Sequence, residues 1–189
     1  MTRELKLLLQ GVDELAGEGL AATLQRVVEG AATLLRTQGA GVMLADEDEV
    51  LRCAAASGSP GWRLGTAQER LGAGPAHDCF AQDIPVACRD VTTDGRWPDL
   101  RHLIDPAAVR AVLSAPLTLP DGGPIGALDV FASKARDWDM REIADTMVYA
   151  GLAASLIAMA VEARLRGVLL DRMLAALRAT TDRPGPEDG

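Results

Sequence analysis

The apolar residues of this chain repeat at helical spacing towards its two ends and fall into short, turn-bounded runs between them; this change of period constrains the fold most. Leu20, Leu24, Val27, Val28, Ala31, Leu34 and Leu35 predict a helix with one buried face, stopped by Gly39 and Gly41. Gly41 to Ala45 and Leu51 to Ser57 then flank the acidic turn Asp46-Glu47-Asp48-Glu49, which predicts an antiparallel hairpin. Ile84 to Arg89 reads as a further strand. Val109 to Leu119 and Pro124 to Ala132 read as a second hairpin around Pro120-Asp121-Gly122-Gly123. Pro116 lacks a ladder donor and implies an edge or a bulge there. Helices around an antiparallel sheet make an α+β sandwich.

Between the hairpins the pattern is irregular. Gly58 to Gly74 is loosely patterned, Ala76 to Gln82 predicts a short helix, and Asp94 to Pro98 a turn before a helical segment at Asp99 to Leu103. Two more helical stretches flank this body. Leu5, Leu8, Leu9, Val12 and Leu15 give an amphipathic lead helix within residues 1–18. From Trp138 onward Ile143, Met147, Ala150, Ala154, Ile157 and Val161 step by four and three, the pattern of a coiled-coil seam. The later steps to Leu165, Leu169 and Met173 are all four, a change of phase. The expected organisation is a domain over 19–162, a helical extension over 163–180 and a Pro/Gly/acid-rich, disordered tail over 181–189.

Composition narrows the function classes. A formal net charge of -8 without a Lys/Arg stripe disfavours direct nucleic-acid binding. The first residues lack the apolar run and cleavage site of a signal peptide. The uncharged stretch Met147 to Val161 is short for a membrane span, so no membrane association is expected. Cys53, Cys79 and Cys88, at spacings of 26 and 9, match no metal-ligand or redox pair pattern; no metal site is expected, and a reducing cytoplasm fits best.

The stretches LGAGPAHDCFAQDIPVACRDVTTDGRWPDL and VRAVLSAPLTLPDGGPIGALDVFASKARDW, followed by the long helix, resemble the GAF domains of bacterial signalling proteins, especially actinobacterial ones. The resemblance runs from about Gly19 to Val161. It implies a five- or six-stranded antiparallel sheet with helices packed on one face and a long C-terminal helix. It also implies a ligand pocket on one face of the sheet, roofed here by Asp90 to Arg110. Many such relatives carry a following ANTAR domain, a small RNA-binding unit used in transcription antitermination. Too few residues follow Leu177 for one, so a separate output protein is expected.

Trp97, Arg101, His102, Arg110 and Asp129 are the candidate ligand-binding residues, because a pocket needs a few polar groups among apolar ones. For Trp97 the preferred reading is a packing anchor, and for His102 a surface residue rather than a pH sensor or haem ligand. Asp129, inside the apolar strand Gly126 to Ala132, must be paired or hydrogen-bonded; an arginine of the roof or of the long helix is the expected partner.

The leading expectation is a non-catalytic sensor that binds a small molecule or relays a signal through a helical homodimer, using the lead helix, the terminal helix or both. The alternative is a thiol-based redox enzyme or sensor like the free methionine sulfoxide reductases, acting through Cys79 or Cys88. Buried, inert thiols are preferred, since nothing basic adjoins them except Arg89 and His77. Neither the Asn-Lys-Phe-Asp-Glu signature of cyclic-nucleotide binders nor the bilin-attaching cysteine context occurs, so no cofactor is assigned.

Overall fold

A computed structural model describes residues 18–119 and 122–181. The elements are helix α1 (Glu18–Leu34), strands β1 (Gly39–Ala45) and β2 (Leu51–Ala56), helices α2 (Gly58–Leu71) and α3 (Pro75–Gln82), strands β3 (Val86–Cys88), β4 (Ala111–Thr118) and β5 (Pro124–Ala132), and helix α4 (Met140–Thr181). The stretch expected to form the lead helix, up to residue 17, and the tail beyond Thr181 lie outside the described residues.

The five strands form one antiparallel sheet in the order β2-β1-β5-β4-β3, which puts β5 at the centre. The α+β class and the five-stranded sheet are as expected. Pro116 sits where the β4–β5 register shifts, between Pro116 and Thr118, so the missing donor falls at a bulge.

Strand alternation gives the sheet two buried faces. On one, Val42, Leu44, Leu113, Leu117, Leu128 and Val130 meet Leu24, Val28 and Ala31 of α1 and Ala150, Ala154 and Ile157 of α4. On the other, Met43, Val112, Ala127 and Phe131 meet Leu64 and Ala67 of α2, Ala76 and Cys79 of α3, and Trp97 and Leu100. The sequence does not announce α2, because Pro60, Gly61 and Gly65 read as breakers. Pro60 lies in the first turn, where its missing N–H breaks no helical bond. Gly65 faces β2 so closely that a Cβ would stand 2.4 Å from Cys53 Sγ. Only a residue without a side chain lets α2 lie that near the strand.

Helix α4 runs past Gly167 without a break and starts with a reciprocal cap: Asp139 Oδ1 accepts from Glu142 N at 2.8 Å and Glu142 Oε2 from Asp139 N at 3.0 Å. The stripe read as a coiled-coil seam has a different role. Ala150, Ala154, Ile157 and Val161 are at most 2% exposed, and Ile143 and Met147 pack against the same core. Periodicity reports that a helix has an apolar face; it does not say whether a sheet or a second helix covers it.

By length and composition Met140–Leu174 would pass for a membrane span, which the count of uncharged residues alone did not grant it. Only 28% of that stretch is buried, so most of its apolarity lies on the side turned away from α1 and the sheet.

Candidate functional site

The second face of the sheet holds a buried polar cluster. Asp129 lies on the central strand and Ser114 directly opposite it on β4, so both side chains point to the same face. Asp129 Oδ1 accepts from Ser114 Oγ at 2.5 Å, and Oδ2 accepts from Gln68 Nε2 at 2.6 Å. Asp129 is 2% exposed, while Gln68 and Ser114 are fully buried. The expected arginine partner is not there. Both donors are neutral, and burial pushes the Asp129 carboxyl up to about 6 against the opposing pull of Ser114 and Gln68.

Gln68 also ties α3 to α2, since its Oε1 accepts from Ala76 N at 2.8 Å. The next residue, Glu69, accepts from Cys53 N at 2.9 Å and pairs with Arg52 at 3.2 Å. These two consecutive residues fasten α2 to β2 and β5. Gly74, just before α3, has φ 148°, and a Cβ there would stand 2.5 Å from Gln68 Oε1. The position therefore requires glycine for both backbone and space.

The Asp90–Arg110 segment closes over the same face. Arg110 Nε donates to Asp90 Oδ1 at 2.8 Å, and its Nη2 bonds to Oδ2, a bidentate pair joining the two ends of the segment. That guanidinium holds the Asp90 carboxyl well below the usual carboxylate range. Trp97 is 4% exposed, packed beneath the Arg96 guanidinium at 4.2 Å, and Leu100, Ile104 and Val109 are buried with it. These side chains pack into the core on the second face of the sheet. Arg101 and His102 point to solvent, with Arg101 Nε 3.2 Å from His102 Nε2.

Of the five candidates, then, Trp97 is core, Arg110 is a clasp, Arg101 and His102 are surface, and Asp129 bonds to none of the other four. Gln68 escaped sequence reading altogether. It belongs to a helix hidden by its glycines, and a glutamine on an unpredicted helix carries no periodic signal. Clefts of about 440, 450 and 600 Å³ lie along α1 and α4, away from the roof.

The thiols lack the setting of reactive groups. Burial pushes Cys53 up to about 12 and raises Cys79; Cys88, which donates to Asp94 at 3.3 Å, is also pushed up to about 12, chiefly by burial. Among the described residues no group of three His, Cys, Asp or Glu side chains is placed to hold a metal ion.

The sheet packed on both faces and the long terminal helix define a three-layer α+β domain. The sequence profile of the GAF domain matches residues 19–157, and the chain belongs to that family, whose members are typical sensory and signalling modules. Similar solved structures include the GAF domain of a phosphoenolpyruvate-protein phosphotransferase from Coxiella burnetii (18% identity, TM-score 0.60, 88% of this chain and 95% of that one). The cyanobacteriochrome TePixJ GAF domain is 22% identical (TM-score 0.58, 79% and 94%). A type II free methionine-R-sulfoxide reductase from Thermoplasma acidophilum is 17% identical (TM-score 0.59, 74% and 93%). At these identities the likeness is one of fold. No curated protein matches the sequence.

Proposed function

We propose that this chain is a non-catalytic sensory module that acts in the cytoplasm as a homodimer through α4 and passes a signal, small-molecule or conformational, to a separate output protein. The observation that carries the reading is the outer side of α4. Val148, Leu152, Leu156, Met159, Leu169, Leu170, Met173 and Leu174 are 42–67% exposed. Leu152, Leu156, Met159, Ala163, Arg166, Leu170 and Met173 alternate steps of four and three, the heptad spacing of a helix that packs on another helix. An apolar surface of this extent marks an interaction site. Burying these side chains on two copies removes on the order of 1,000 Å² from water, the size at which specific interfaces begin.

The dimer seam proposed here is thus the opposite side of the helix from Ile143 to Val161. The resemblance of the motif stretches quoted above to the GAF part of GAF-ANTAR proteins suggests transcription regulation as the output. The buried thiols with raised pKa values weigh against the redox alternative.

Sedimentation of the wild type and of the Leu152→Glu/Leu156→Glu variant tests the dimer. The expected result is a dimeric wild type and a monomeric variant with unchanged helical content. A wild type that is monomeric at every accessible concentration would overturn it. Native mass spectrometry of protein from its own host reads any retained small molecule.

A further inference from the structure

The buried cluster on the second face has a property that neither signalling by dimerisation nor packing requires. Asp129 is a carboxyl on the central strand, removed from water, with two neutral donors and, among the described residues, no cation in contact. The titratable side chains around the cluster are the thiols of Cys53 from β2 and Cys79 from α3, which are neutral and raised partly by the Asp129 charge, and His77 from α3, which bonds to the Gln68 backbone. Two hydrogen bonds replace only part of the hydration that an ionised carboxylate loses on burial.

The two donors differ in what they can do. The Gln68 amide is fixed in orientation, since its Oε1 is occupied by the N–H of Ala76. It can only donate to Asp129. The Ser114 hydroxyl can turn, donating to a carboxylate or accepting from a carboxyl O–H. The cluster therefore accommodates both protonation states of Asp129 without rearranging a backbone, and the state chosen bears on Gln68, the residue that ties β5, α2 and α3 together.

We propose that Asp129, Ser114 and Gln68 form a proton-sensitive latch, in which proton uptake by Asp129 tightens the α2–α3 layer on the sheet and proton release loosens it. The proposal is independent of the dimer. For a carboxyl raised from 3.8 to about 6 on folding, the penalty is complete above about pH 6 and falls away as the pH drops through that value. His77 on α3, lowered by burial, works the other way, losing stability as it is driven to charge on acidification.

The full chain is unfolded in urea across pH 5 to 7.5, as wild type and as Asp129→Asn. Taking the difference between the two removes the part of the His77 contribution that both share. The expected result is that the unfolding constant of the wild type, relative to that of the variant, falls by about tenfold from pH 7.5 to pH 5. Parallel pH profiles for the two proteins would overturn the latch. Should Asp129→Asn fail to fold, carboxyl ¹³C NMR of the wild type decides instead: a midpoint for Asp129 near pH 6 supports the proposal, and a midpoint in the ordinary carboxylate range refutes it. Hydrogen exchange of the Gln68-to-Gln82 amides, corrected for intrinsic rates, should show greater protection at pH 5 than at pH 7.5 in the wild type.

Discussion

The Tyr149 hydroxyl donates a 2.7 Å hydrogen bond to the backbone carbonyl of Val27, pinning α4 to α1 at a point where Gly30 leaves room for the ring. A Cβ at residue 30 would stand 2.5 Å from that hydroxyl oxygen. Tyr149→Phe should therefore cost about 1 kcal/mol, the net worth of one hydrogen bond. Gly30→Ala should destabilise the wild type but be tolerated, or even help through helix propensity, in the Tyr149→Phe background. A double-mutant cycle by urea unfolding reads that coupling, and additive effects would show that the contact is unimportant.

Neighbouring residues of α4 should behave in opposite ways. Ile157 is fully buried between α1 and the sheet, whereas Leu156 is 48% exposed. Ile157→Ala should cost about 2–5 kcal/mol in unfolding at any protein concentration. Leu156→Ala should leave the stability of the isolated fold within about 0.5 kcal/mol and weaken self-association, a split that unfolding and sedimentation read separately.

At strongly acidic pH the roof should fail. Asp90 is held well below its ordinary range by Arg110, and Asp94 is lowered to about 2 by Arg96. For lowered carboxyls the stabilisation is present above the unfolded value of 3.8 and lost as the pH falls through the folded values. Stability should thus drop between about pH 4 and pH 2. Arg110→Ala should lose stability at neutral pH and flatten this acid limb, which circular dichroism at fixed urea measures.

The three thiols should be slow to react. Cys79 and Cys88 are buried and Cys53 is half-buried against α2, all with raised pKa values. A thiol reagent at pH 7.5 should label all three quickly in denaturant and none at a comparable rate in the folded protein. Rapid labelling of Cys79 or Cys88 in the native state would restore the redox reading.

Gly74→Ala should be among the most damaging single substitutions. It places a methyl group against the Gln68 amide at a φ of 148°. Strain and displacement of Gln68 together should cost more than about 2 kcal/mol in urea unfolding.

By itself the sequence determined the fold class and most of its elements. Alternating and helical periods are local properties, and they placed α1, both hairpins, α3 and α4 because each element must bury one face of its own repeat. Pro116 marked its bulge for an equally local reason, the absence of an N–H. Only the tertiary structure decided what those faces meet. It turned the presumed seam of α4 towards the sheet, revealed α2 despite Pro60 and its glycines, and gave Asp129 the neutral partners Ser114 and Gln68 in place of an arginine. Gln68 and Asp129 are 61 residues apart. Nothing in the spacing of either one specifies the other, because a hydrogen bond across that distance exists only once α2 is laid on the sheet.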